Sequence, residues 1–121
     1  MTTKEAGTFD KLDRNLLAPT ILEAENEFVK ADFLKSCTVH IAISLDIQLG
    51  DSVGPGLKFE GGGGIFSGPI VVTEEHLANG IDWQSSSNLI VRPDAAIEAY
   101  YRVQKNDGSK SRSPSGRYIV K

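Results

Sequence analysis

From Phe33 to Ile47 apolar residues recur at nearly every second position. They are Phe33, Cys37, Val39, Ile41, Ile43, Leu45 and Ile47, with Ser36, Thr38, His40, Ser44, Asp46 and Gln48 between them. A period of two marks a strand with one packed face and one wet face. Val39 and Ile41 fall on the packed face. The run exceeds the usual strand length of about 3–10 residues, so a bend or break is expected near Ser44. Upstream the pattern changes. Pro19-Thr20-Ile21-Leu22-Glu23 reads as a helix start, with Thr20 as N-cap and Glu23 closing a capping box. Ile21, Ala24, Phe28 and Ala31 would share one face of a short helix over 21–31. Residues 1–18 are polar with scattered leucines and read as a flexible N-terminal arm.

Downstream the chain is punctuated by glycine. Gly50 to Gly56 reads as a turn by composition. Strands are expected at Leu57 to Glu60, Ile70 to Thr73, Leu89 to Arg92 and Ala96 to Lys105. Glu74 to Asn79 reads as one helical turn or a loop, closed by Gly80. Asn106-Asp107-Gly108 is a hairpin signal. Ser109 to Ser115 is a low-complexity stretch, and Arg117 to Val120 can add a last strand. Several short strands, Gly-rich turns and little helix point to an all-β sandwich or barrel. The expected organisation is the arm over 1–18 and a single β domain over 19–121.

Composition narrows the function classes. At 121 residues, 40% hydrophobic and 24% charged, the chain is an ordinary globular domain long enough to bury a core. Thirteen Lys and Arg against sixteen Asp and Glu leave a net charge of −3, which argues against nucleic acid as the main partner. The lone cysteine, Cys37, excludes an intrachain disulfide framework and a cysteine-based zinc cluster. No run approaches the roughly 18 apolar residues of a membrane helix, and the first residues lack the apolar core of a signal peptide. The expectation is a cytoplasmic protein with no membrane, metal or cofactor.

Several residues carry candidate chemistry. Gly61 to Gly64 invites a phosphate-loop reading, but Ile65-Phe66-Ser67-Gly68-Pro69 follows where Gly-Lys-Ser/Thr and a helix are needed. A bend or bulge explains those glycines better. Asp82-Trp83-Gln84 sets the only tryptophan between two polar residues, as a ligand pocket would, or as a packed Trp with exposed neighbours. Arg92-Pro93-Asp94 is a turn by composition, and Arg92 could clamp a carboxylate. His40, Ser44 and Asp46 would line one pleated face, which serves acid–base chemistry or is simply solvated. Tyr100 and Tyr101 point to opposite faces, so one faces inward. Glu74-Glu75-His76 could touch a metal but reads more simply as exposed.

Taken in order, some of these segments resemble one family. Gly63-Gly64-Ile65-Phe66-Ser67-Gly68-Pro69 resembles its Gly-Gly-x-Phe-x-Gly-Pro signature, and Gly80-Ile81-Asp82-Trp83-Gln84 its Gly-x-Asp-Trp-Gln segment. Arg92-Pro93-Asp94, Tyr101 and Asn106-Asp107-Gly108 are similar to its later positions, and Phe33 to His40 to its opening strand. The family is domain of unknown function 3237, small proteins of bacteria and fungi, and the resemblance covers residues 33–108. It implies a closed antiparallel β-barrel with a pocket. Some fungal members lie among natural-product tailoring genes, which implies an isomerase, cyclase or lyase acting on a small hydrophobic molecule. The chain departs from the pattern at Ala95, where glycine is usual, and at Tyr100, where arginine is frequent. Its Ser/Lys/Arg-rich tail does not resemble the family's late strands, so the barrel is expected to be incomplete at the C-terminus.

Three readings follow. In the first, the domain is a cofactor-free acid–base enzyme for a small hydrophobic metabolite. Asp82, desolvated by Trp83, transfers the proton, and Arg92 holds a substrate oxyanion. His40 or Tyr101 completes the relay, while Trp83, Phe66 and Gln84 line the pocket. In the second, the same lining binds a ligand without catalysis. In the third, the domain is structural, with an open edge covered by a partner or a second copy in a homo-oligomer.

Overall fold

The computed structural model describes residues 11–30, 37–44, 46–61, 63–85 and 94–121. In chain order the strands are β1 (Lys11–Leu12), β2 (Thr20–Ile21), β3 (Phe28–Val29), β4 (Thr38–Ile41), β5 (Ser52–Phe59), β6 (Gly64–Phe66) and β7 (Ile70–Val71). After helix α1 (Glu74–Asn79) come β8 (Ile81–Gln84), β9 (Ala96–Gln104), β10 (Lys110–Arg112) and β11 (Gly116–Val120).

The axis of the larger sheet is the antiparallel pair β5–β9, in register from Ser52 opposite Gln104 to Phe59 opposite Ile97. The other edge of β9 is shared. Its first half pairs with β11 and its last three residues with β10. Two short strands extend this edge in parallel, β3 on β11 and β1 on β10. On the far edge of β5 lie β6 and β7. The smaller sheet is antiparallel, in the order β2–β4–β8. The protein is thus mostly β, with mixed and antiparallel sheets. Among the described residues the pairings do not close into a barrel, because β4 and β8 hydrogen-bond within their own sheet and not to the edges of the larger one.

The sheets share one interior. Val39 and Ile41 of β4, both 0% exposed, meet Leu57, Val53, Ile97, Ala99, Tyr101 and Val103 of β5 and β9 in two adjoining clusters. Each buried Val, Leu or Ile side chain contributes about 1.5–3 kcal/mol. The alternation in β4 therefore places its residues as the sequence suggests. The longer run does break, since β4 ends at Ile41.

Three expectations are corrected. The helix over 21–31 is absent from its described part, residues 21–30, because strand pairing takes the same groups. Ile21 sits opposite Val39, and its N–H donates to the Tyr118 hydroxyl at 3.0 Å. Glu23 accepts from the Thr38 N–H at 2.7 Å instead of closing a capping box. Glu25 and Phe28 then exchange both backbone hydrogen bonds in a tight reversal, with Asn26 at φ 58°.

The turn expected from Gly50 to Gly56 ends early, and Gly54-Pro55-Gly56 lies within β5. Proline is tolerated there because the Pro55 carbonyl accepts from Ser67 N–H in the gap between β6 and β7. A strand residue's N and O face one edge, so the missing donor falls in the same gap. Finally, the arm over 1–18 is docked where it is described. Lys11 and Leu12 pair with β10, and Leu16 is 2% exposed. The strand expected at Leu89 to Arg92 lies outside the described residues.

The hairpin at Asn106-Asp107-Gly108 forms as its composition suggests. Lys105 N–H donates to the Ser109 carbonyl at 2.8 Å, and Gly108 takes φ 91°. The helical turn Glu74–Asn79 also forms, capped by Thr73 and closed by Gly80. No helix among the described residues is long and apolar enough to cross a membrane.

Candidate functional site

The antiparallel register of β4 on β8 sets His40 directly opposite Asp82. Opposite residues in such a pair project to the same face. The two side chains meet there, His40 Nδ1 to Asp82 Oδ1 at 2.5 Å. An ionised carboxylate only accepts hydrogen bonds, so Nδ1 carries the hydrogen and Nε2 of a neutral imidazole is left as the acceptor. The side chains are 30% and 59% exposed, so small molecules can reach them. An exposed pair of this kind adds about 0–1 kcal/mol to stability.

Gly80 completes the seat of the imidazole. A Cβ there would stand 2.7 Å from the Ile41 carbonyl oxygen and 2.8 Å from His40 Cε1. With φ 83° and ψ −179°, the position also has a backbone conformation open essentially to glycine alone. The ring therefore lies over the start of β8, held by Asp82 on one edge and by the bare Gly80 backbone beside it. Thr20 faces His40 from β2 on the other side, giving a row of hydroxyl, imidazole and carboxylate across three strands. The ring leans toward β8, away from Thr20.

The other expected residues do not gather here. Trp83 alternates with Asp82 and turns inward, packing against the core cluster of Val39, Leu57 and Ile97. It therefore does not desolvate Asp82. Gln84 shares the outer face of β8 with Asp82 and stands opposite Thr38. Tyr101 is 0% exposed in the core, clustered with Ile41 and Ile81 on the inner side of the small sheet. Its hydroxyl donates to the Leu17 carbonyl at 2.7 Å, and burial pushes its pKa up to about 12. That fixed, protonated phenol is a structural pin and no part of a relay with His40. Phe66 lies on the larger sheet, against Tyr100. Arg92 lies outside the described residues.

The expected row of His40, Ser44 and Asp46 is broken by the end of β4 at Ile41, and the Asp46 carbonyl instead accepts from Lys105 Nζ. His76 is occupied in the cap of α1, where its Nδ1 accepts from Thr73 N–H at 3.1 Å. No group of three metal-ligating side chains occurs among the described residues.

Two buried polar clusters escape sequence reasoning. The Asp51 carboxylate, 0% exposed, accepts from Lys105 Nζ at 2.6 Å, Gln48 N–H at 2.8 Å and Asn106 N–H at 3.2 Å. Burial pushes its pKa up, but the Lys105 ammonium and the two N–H groups outweigh this and hold it below the ordinary value. The partners lie 54 residues apart in sequence, so no local motif announces them. Cys37 is 0% exposed with its sulfur 3.2 Å from the Ser85 hydroxyl, and burial raises its thiol pKa. A protonated, enclosed thiol of this kind is inert. No family model, curated protein or solved structure matches the chain.

Proposed function

We propose that the chain is a cofactor-independent acid–base enzyme in which His40 transfers the proton and Asp82 orients it. The observation that carries the reading is the 2.5 Å contact between His40 Nδ1 and Asp82 Oδ1, seated beside Gly80. With the hydrogen held on Nδ1, Nε2 can take a proton from carbon next to a carbonyl. Asp82 then stabilises the imidazolium, and the same nitrogen returns the proton to another atom of the substrate. Isomerases, cyclases and lyases share that step. The substrate in this reading is a small hydrophobic carbonyl compound, resting on an outer face beside the exposed Leu22. Asp82 lies in the Gly80 to Gln84 segment that resembles the Gly-x-Asp-Trp-Gln segment of domain of unknown function 3237. A cytoplasmic setting belongs to the proposal, since a lone thiol stays reduced there.

The test is proton exchange in heavy water, followed by NMR on a panel of aryl ketones and cyclic 1,3-diketones. Wild type is expected to accelerate exchange at the carbon beside the carbonyl. Both His40→Gln and Asp82→Asn should lose most of it, with unchanged melting temperatures. Accelerated exchange as fast with His40→Gln as with wild type refutes His40 as the proton-transfer group, and wild-type exchange no faster than without protein leaves a non-catalytic binding domain.

A further inference from the structure

The outer face of the larger sheet carries a feature that the His40–Asp82 pair does not use. Phe66 is 59% exposed, yet its ring is seated. A Cβ on Gly56 would come within 2.7 Å of Phe66 Cδ1, and one on Gly64 within 2.9 Å of Phe66 Cζ. The ring lies across two glycines of paired strands, with Tyr100 meeting it edge-on at 6.2 Å between centroids and 63° between planes. An exposed aromatic that is held this way offers a preformed stacking surface.

The surface beside it is cationic. An open groove of about 270 Å³ runs from Phe66 and Tyr100 past Pro69 to Arg102, Gln104 and Lys110, and none of its described lining residues is acidic. Arg102 stands directly opposite Arg112 in the β9–β10 register, and Lys110 opposite Gln104. Like charges directly opposite on one face are destabilising, and this arrangement sits in a chain of net charge −3. Glu98, one row further along β9, is flanked in register by Lys58 and Arg117. Arg102 and Lys110 are thus the charged residues among those described along the groove.

We infer that this groove binds a small planar aromatic carboxylate, stacked on Phe66 with its carboxylate toward Arg102 and Lys110. The ring is matched by the Phe66–Tyr100 corner, and the anion by the paired positive charges of Lys110 and Arg102 at the other end of the groove. The volume suits one or two fused rings. Position separates this site from the proposed catalytic pair. Tyr100, Arg102 and Gln104 alternate with the buried Ala99, Tyr101 and Val103, so the groove lies on the outer side of the larger sheet. His40 and Asp82 lie on the outer side of the smaller sheet, across the core.

The probe is 2-naphthoate, titrated into the full chain and followed by backbone NMR shifts at Tyr100 and Arg102. Its comparators are uncharged 2-naphthylmethanol, non-aromatic cyclohexanecarboxylate and an oligothymidylate. Naphthoate is expected to saturate, with shifts confined to the groove, and to bind about tenfold tighter than either small comparator. Phe66→Leu and Arg102→Gln should each weaken it about tenfold, with Lys110→Gln as a second probe of the charge and the melting temperature as a check on folding. Absence of saturable binding overturns the inference, as does naphthoate binding unaffected by Phe66→Leu and both charge variants. Tighter binding of oligothymidylate than of naphthoate overturns it too, by assigning the face to single-stranded nucleic acid.

Discussion

Removing one partner of the Asp51–Lys105 pair should cost much more on one side than on the other. Asp51 has no exposed side-chain surface, whereas Lys105 is 26% exposed. Lys105→Met leaves a carboxylate enclosed without its counter-charge, a loss of about 3–5 kcal/mol for a broken buried pair. Asp51→Asn is milder. Its amide oxygen can take the Oδ2 position, which receives both Gln48 N–H and Lys105 Nζ. Its NH2 then faces only the Asn106 N–H, the longest of the three contacts at 3.2 Å. One unsatisfied buried donor costs about 1–3 kcal/mol, and water can still reach the Lys105 ammonium. The double variant should cost less than the sum of the singles, because the second change removes the group that the first left stranded.

Urea unfolding followed by fluorescence of Trp83, which packs on the core, measures all three variants. The pH dependence has a definite sign. The Asp51 carboxyl is held below its ordinary value in the folded protein, so its contribution is present above the unfolded value of about 3.9 and is lost as pH falls below it. The gap between wild type and Lys105→Met should therefore narrow between neutral pH and the acid range. Lys105→Met costing no more than Asp51→Asn, or strict additivity in the double variant, would refute this account of the pair.

Two further outcomes follow from the small sheet. Val39→Asp, at a position with no exposure, buries an unpaired carboxyl and should cost several kcal/mol out of a typical stability of about 5–15 kcal/mol; a soluble variant with an unchanged melting temperature would show that β4 faces the other way. Gly80→Ala forces a Cβ against the Ile41 carbonyl and the His40 ring, so it should lose about 1–3 kcal/mol and shift the His40 imidazole resonances in an NMR titration; a spectrum like that of wild type would show that Gly80 does not seat the ring.

What the sequence makes legible depends on how local the decisive contact is. The alternation through Val39 and Ile41 is visible because a strand's two faces are set by its own pleat, and both residues are fully buried. The Asn106-Asp107-Gly108 turn and the stop at Gly80 are visible because positive φ is needed within a few residues. Thr20 to Glu23 misleads, because a capping-box pattern has the groups that Val39, Tyr118 and Thr38 claim across the fold. Gly54-Pro55-Gly56 misleads for the same reason, since turn-forming residues are held extended by β9 on one side and by β6 and β7 on the other.

The candidate site shows both sides of this rule. His40 and Asp82 are each recognisable as acid–base residues, yet sequence spacing joins His40 to Asp46 and Asp82 to Trp83. Both pairings fail on strand geometry. Asp46 lies beyond the end of β4, and adjacent strand residues such as Asp82 and Trp83 must face opposite ways. A shift of one residue in the pairing of β4 on β8 would put Trp83 or Ile81 across from His40 and turn Asp82 toward the core. The inward-facing run of buried Val39, Ile41 and Ile81 with the partly buried Trp83 holds that register. The hydrophobic pattern thus fixes the acid–base pair indirectly, by leaving Asp82 as the group across from His40.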